Sequence, residues 1–340
     1  MSAFDNLRAA LLSAQITHAE TDAESSVDDQ RRLSDFMKRV NWNSALHPRD
    51  ALGRFAVSSS TGGGKPSSSA RGRKLQGTSS REEILQGKSD TQALHAQIVN
   101  KKTYYSKSRK PLHDKIVDKY RSDATPVKKP RAVFMAGGSG SGKSSIRSQN
   151  PEWTENTVLA DPDEIKALLP EFDQLSAIGD KWSASAVHEE SSDVTKRIVY
   201  ETLNAKQNLL LDGVGNSEPG KFAGKIQQAI DEGYDAKVVY ATVSADEAWR
   251  RVQQRAIDRP ERGLVPEKEV RSNHSAVSQR ALELLEANPG DPGYGVEVEV
   301  HDTSGPGFEA KVIFKRERSE TGELVDTVFD EEAFREFLSK

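Results

Sequence analysis

Apolar residues change their period along the chain, and the changes divide it into parts. Phe4, Leu7, Leu11 and Leu12, then Leu33, Phe36, Met37 and Val40, recur at three- and four-residue steps, which predicts two short amphipathic helices before residue 43. Between residues 57 and 74 the apolar positions give way to a Gly/Ser-rich stretch ending in Arg71, Arg73 and Lys74, the composition of a flexible linker. From Arg81 helical spacing returns, with Leu94, Ile98, Leu112, Ile116, Val117 and Tyr120 on helices that lead to Pro130. Short apolar runs then alternate with helical segments. Strands are expected at 132–136, 157–160, 208–213, 236–243, 296–302 and 311–316. Helices are expected at 163–169, at 184–205 and around Phe222, Ile226, Ala229 and Ile230. Another runs from a capping box of Ser244 and Glu247 to Ile257, the next has Pro266 in its first turn, and the last carries Phe334 and Phe337. Such alternation predicts an α/β domain over residues 81–340, a mostly parallel sheet covered by helices. An N-terminal extension (1–56) and the linker (57–80) precede it.

The segment 131–145 (RAVFMAGGSGSGKSS) has its own logic. An apolar run enters a glycine-rich loop of the form G-x-x-x-x-G-K-[ST], filled by Gly137, Gly142, Lys143 and Ser144. Glycines let successive backbone N–H groups converge on phosphate oxygens, the lysine reaches the β- and γ-phosphates, and the hydroxyl of Ser144 is placed to ligate Mg²⁺. Glycine-serine stretches also occur as linkers that bind nothing, but a strand before this one and a helix after it form the setting a P-loop requires. Gly137, Gly138, Ser139, Gly140, Ser141, Gly142, Lys143, Ser144 and Ser145 are therefore the expected nucleotide-binding residues.

Composition narrows the setting. With 35% hydrophobic and 29% charged residues and a mean hydropathy of -0.68, part of the 340 residues is expected outside the packed core. The absence of cysteine excludes a disulfide framework, a thiolate zinc site and a cysteine nucleophile. No apolar run reaches membrane-spanning length, and Asp5 stands where a signal peptide would carry basic charge, so a soluble, cytoplasmic protein without a membrane partner is expected. A net charge of -4 and a pI near 6.1 argue against nucleic acid as a dedicated partner.

In a parallel α/β sheet ligands sit beyond the carboxyl ends of the strands, so polar residues after each apolar run are the candidates for chemistry. Asp161 and Asp163 follow the second such run. A carboxylate there can take the proton of a hydroxyl aimed at a γ-phosphate, or it can cap the next helix. Asp212 follows the third run, where it can hold Mg²⁺ through water or accept hydrogen bonds from a substrate, and Asn216 lies just beyond. Arg251 and Arg255 share a helical face, with Arg262 in the loop after it; arginines there neutralise a transferring phosphoryl group, or merely pair on a surface. His188, Glu189 and Glu190 begin the long helix near the presumed acceptor, where a solvated first turn is the plainer alternative.

Taken together, the glycine loop, 161–166 (DPDEIK), 212–215 (DGVG) and the 255–266 region resemble the ordered motifs of the zeta-toxin family of P-loop kinases over about residues 90–310. The resemblance implies ATP and Mg²⁺ as cofactors and a hydroxyl of UDP-N-acetylglucosamine as acceptor. It implies Asp163 as base, with Lys143, Arg255 or Arg251, and Arg262 at the phosphates; Asp161, Asp212, Asn216 and Glu189 are the residues expected to contact the acceptor. Val214 and Asn216 depart from the family's usual threonine and from an arginine found in some members. A separate antitoxin is the partner such a protein would have; acceptors other than a nucleotide sugar are the alternative within enzymes. Residues 47–56 (HPRDALGRFA) resemble a linker element of tailed-phage head-module proteins, which implies a phage setting, a structural partner through the extension, and, as a different class, a virion-associated ATP-binding protein without turnover.

Overall fold

The computed structural model describes residues 80–340, apart from Lys101, Lys181 and residues 259–264. The two N-terminal helices, the element at 47–56, the linker up to residue 79 and Arg262 lie outside the described residues.

Nine strands are present among the described residues. β1 (Ala96–Val99) and β2 (Lys102–Tyr105) form a separate antiparallel hairpin. The others are β3 (Arg131–Ala136), β4 (Thr157–Ala160), β5 (Asn208–Asp212), β6 (Asp235–Thr242), β7 (Glu297–Asp302), β8 (Lys311–Arg318) and β9 (Leu324–Val328). They form one seven-stranded sheet in the order β4-β5-β3-β6-β7-β8-β9. β3 to β7 pair in parallel and β8 and β9 join antiparallel, so the expected mostly parallel α/β fold is the observed one. Three elements depart from expectation. Ile98, spaced as a helical partner of Leu94, lies in β1, because the helix Thr91–His95 ends at an extended Ala96. β9 has a half-solvated edge pattern with no apolar run to announce it. The capping box at Ser244 is half formed: Ser244 Oγ accepts from the Glu247 N–H at 3.3 Å, but the Glu247 carboxylate turns to Arg250 and Arg251.

Period-two alternation in β3 covers both faces of the sheet. Val133 and Met135 pack with Leu210, Val239, Ala241 and with Ile146 of the helix Lys143–Gln149. Phe134 points the other way, edge-on to Phe222 of the helix Lys221–Asp231 at 6.5 Å. The aromatic chain continues through Tyr240 to Phe337 of the helix Glu331–Ser339, whose Phe334 stacks on Phe314 at 4.3 Å. Each such ring pair contributes about 0.5–1.5 kcal/mol beyond the area it buries.

The long helix His188–Asn204 is fixed at its start by a buried charge cluster. Arg109 donates through Nε to Glu190 at 2.6 Å and through a terminal nitrogen to Glu171 at 2.7 Å, while His113 donates to Glu190 and His95 to Glu171, both at 2.7 Å. The first turn is thus solvated at Glu189 but buried at Glu190. Burial would raise the Glu190 carboxyl, yet hydrogen bonds from His113 and Arg109 outweigh it and hold the group at about 2 against an ordinary 4.5. Because the folded value is depressed, this stabilisation is present above the ordinary carboxylate range and is lost as pH falls toward 2. Arg109→Leu removes the guanidinium shared by two buried carboxylates, leaving each with only its histidine, and is expected to cost about 3–5 kcal/mol in urea unfolding at neutral pH, a cost that shrinks as the pH is lowered.

Candidate active site

The glycine loop leaves the carboxyl end of β3, where the chain order reverses: β4 and β5 lie on one side and β6 on the other. This is the switch point at which an open α/β sheet leaves a crevice. Gly142 enters the helix Lys143–Gln149 in the left-handed region (φ 86°), and Gly140 (φ 80°) runs so close to the next layer that a Cβ there would lie 2.4 Å from the Ala248 carbonyl oxygen. Lys143 curls back over the loop, its Nζ donating to the Gly137 carbonyl at 2.7 Å.

Two acids stand at the ends of the neighbouring strands. Asp161 follows β4 and caps the helix Pro162–Lys166, Oδ1 accepting from the Asp163 N–H at 2.8 Å, so the capping alternative applies to Asp161. That cap leaves the Asp163 carboxylate open to the cleft, with Lys166 Nζ 2.8 Å away. Crowding by the cleft walls, which would raise Asp163, is outweighed by Lys166 and then by Lys143 and Arg255, and the carboxyl is held below its usual range. Asp212 ends β5 on the same face as its register partner Met135, toward the loop helix, and takes a hydrogen bond from Arg147 at 3.1 Å. Burial raises its carboxyl against the pull of Lys143 and Arg147; Asp161 is also raised, by burial and then by Asp212. Asp212 thus hinders the ionisation of Asp161 in a partly dry site, and a cation close to both would favour their charged forms. The Ser144 hydroxyl and Asp212 are the hard oxygen donors that suit Mg²⁺. Among the described residues no group of three or more acids and histidines could hold a metal alone, so a cation here would need phosphate oxygens and water to complete its shell.

These residues line one cleft of about 870 Å³. Lys196 and Tyr200 reach it from the long helix, Lys225 from the helix Lys221–Asp231, and Arg255 from the helix Ala245–Asp258. Asn216 lines it too, donating to Asn273 at 2.6 Å. Arg251 is buried behind the loop: it donates to Glu247 at 2.8 Å, to Thr303 Oγ1 at 3.0 Å and to the Thr303 carbonyl at 2.7 Å. His274 is buried against Gly138, and burial pushes it down to about 4, leaving a neutral ring that donates through Nε2 to the Ser139 carbonyl at 3.1 Å. Glu189 faces solvent, and its neighbour His188 takes the cleft position, because successive helical residues are about 100° apart. Arg147, Lys196, Lys225 and Thr303 were not singled out by sequence; Arg147, one turn after Lys143, is the member that helical spacing alone marks.

A phosphate-cradling loop between a parallel strand and a helix, with acids at two neighbouring strand ends and an arginine opposite, is the nucleotide site of the P-loop class. A family model described as "Zeta toxin" matches residues 113–289, more than half of the sequence, and the chain belongs to that family. It is 31% identical over 105 residues to a toxin zeta of Streptococcus agalactiae (31% of this chain, 37% of that protein) and 31% identical over 120 residues to one of Enterococcus hirae (34% and 41%). The chain thus spans about two fifths of the length of these curated relatives. Among solved structures, the AvrRxo1-ORF1:AvrRxo1-ORF2 complexes with sulphate ions and with ATP each share the fold at a TM-score of 0.57 and 18% identity, covering 74% of this chain and 82% of theirs. Among the described residues no helix is long and apolar enough to cross a membrane.

Proposed function

We propose that the chain is an ATP-dependent kinase that moves the γ-phosphoryl group to a hydroxyl of a small molecule, with UDP-N-acetylglucosamine as the acceptor. The observation that carries this is the Asp163 carboxylate, which opens to the same cleft as Lys143 and Arg255 and is held below its usual range, against the raising effect of desolvation, by Lys166 and then by both of those charges. A binding site alone has no use for a base facing the phosphate end. Family membership and an ATP-bound protein of the same fold support the nucleotide.

ATP lays its phosphates along the loop, and Lys143 exchanges the Gly137 carbonyl for phosphate oxygen. Ser144 and, through water, Asp212 would hold Mg²⁺, which would supply neutralising charge to the phosphates. Asp163 accepts the proton of the acceptor hydroxyl as its oxygen bonds to the γ-phosphorus and the bond to the β-γ bridging oxygen breaks, leaving ADP. Arg255 offsets charge on the transferring group, and Arg262, later in the sequence, is proposed to join it. Lys196 and Lys225 place positive charge on the acceptor side, and Asn216 supplies a polar contact there. Toxicity, and restraint by a separate antitoxin, are carried over from the family as part of the same proposal.

An acceptor panel with γ-labelled ATP tests this. Label on UDP-N-acetylglucosamine is expected; label only on another metabolite or a nucleic-acid end would replace the acceptor, and no transfer to any hydroxyl would sink the kinase assignment. A fragment beginning near Arg81 is expected to retain ATP binding and transfer, since the sheet, loop and cleft all lie beyond that point.

A further inference from the structure

The glycine loop is held from behind by side chains that arrive from three later elements. His274, in the helix Glu267–Leu285, donates to the Ser139 carbonyl at 3.1 Å. Arg251 reaches the Gly140 carbonyl at 3.4 Å. Thr303, just after β7, donates through Oγ1 to the Ser141 carbonyl at 2.7 Å, and the same hydroxyl accepts from Arg251 at 3.0 Å. Thr303 is itself fixed, its N–H donating to the Thr242 carbonyl at 2.9 Å and its carbonyl accepting from Arg251 at 2.7 Å. All three side chains belong to buried residues. Packing has closed on them as well: a Cβ on Gly138 would lie 2.3 Å from His274 Cδ2, and one on Gly142 would lie 2.9 Å from Thr303 Oγ1.

The carbonyls of a solvated loop need no such help, since water satisfies them. Burying a histidine, an arginine and a threonine to do it is costly unless the loop's shape matters. Peptide planarity supplies the reason. In a trans peptide the C=O of one residue and the N–H of the next point in opposite directions. Pinning the Ser139 and Ser141 carbonyls toward the back layer therefore turns the Gly140 and Gly142 N–H groups toward the front, where the phosphates lie.

We propose that Thr303 and His274 are positioning residues for ATP: with Arg251 they lock the carbonyls of Ser139, Gly140 and Ser141 backward, so that the loop's N–H groups are aligned for phosphate before nucleotide arrives. The inference rests on the kinase reading for the identity of the nucleotide. The backbone from Ser139 to Gly142 then needs no reorganisation when the phosphates enter, and only the Lys143 side chain has to move, which is the advantage of a preorganised site.

The test compares wild type with Thr303→Val, Thr303→Ser, His274→Phe and His274→Gln. It reads ATP binding by calorimetry, KM and kcat for each substrate, and thermal midpoint. Thr303→Val keeps the shape and removes the hydroxyl; it is expected to weaken ATP by about tenfold, the scale of a lost buried hydrogen bond, with the acceptor KM and thermal midpoint little changed. Thr303→Ser restores the donor and is expected to recover the affinity. His274→Phe should lose ATP affinity in the same way, and His274→Gln, which can still donate, should lose less. If Thr303→Val and His274→Phe bind ATP as wild type does, the proposal is overturned. It is equally overturned if Thr303→Ser is as impaired as Thr303→Val, or if ATP affinity falls, the acceptor KM rises and the thermal midpoint drops together. A wild-type chain that bound no ATP would overturn the nucleotide reading itself, an outcome visible before any variant is compared.

Discussion

Lys143→Ala is expected to abolish phosphoryl transfer while leaving the chain folded. The ammonium sits at the mouth of the glycine loop with its Nζ on the Gly137 carbonyl, a half-buried position that a few torsions convert to phosphate contact. No core residue depends on it, so the thermal midpoint should change little. Removing one preorganised donor from a developing anionic centre typically costs roughly 10²–10³-fold in turnover, and a phosphate-binding lysine brings a full charge besides. Single-turnover assays with labelled ATP on the purified variant measure the loss. Near-normal transfer would show that the loop does not work as a P-loop.

Asp163→Asn separates binding from chemistry. The substitution keeps the shape of the side chain and its place in the helix Pro162–Lys166 but removes the ability to take a proton. ATP should bind nearly as in wild type while transfer falls by roughly 10²–10⁴-fold, the span of general-base contributions. The opposite pattern, weak ATP binding with normal transfer from the bound complex, would assign Asp163 to the nucleotide instead. The pH profile has a definite sign. A base works when deprotonated, and Asp163 is held below the ordinary carboxylate range with Lys166 as the foremost opposing influence on the raising effect of burial. The acid limb of kcat/KM should therefore lie lower than for an ordinary aspartate, and Lys166→Met should move it upward. A limb unmoved by Lys166→Met would mean that another group titrates in the rate.

The parts legible in the sequence are those whose signal is local. β3, its glycine loop and the helix after it announce themselves through a short apolar run and a fixed motif, and the acids at 161, 163 and 212 follow from the rule that chemistry sits past strand ends. What escaped depends on contacts across the chain. Thr303 is an ordinary residue after a strand until it meets Ser141, 162 positions earlier. Glu190 and Glu189 are indistinguishable as letters; only Arg109 and His113, far upstream, decide which of them turns inward. The edge elements were lost for a different reason. β9 and the β1–β2 hairpin leave Val325, Ile98, Val99 and Tyr104 exposed, so neither shows the apolar run or strict alternation that marks a buried strand.

The contact between Lys143 and the Gly137 carbonyl sets a condition on any phosphate that is to take the lysine's place in the loop. A cationic cradle without its anion is ordinarily a magnet for whatever phosphate compound is abundant. Here the cradle's main charge already has an acceptor in its own backbone, so an incoming anion must first evict a lysine from a satisfied hydrogen bond. A lone phosphate offers little in exchange. A triphosphate, which also fills the neighbouring N–H groups of the loop, offers much more. On the proposed kinase reading, the contact would set a threshold on ligand size, favouring a triphosphate over a single phosphate.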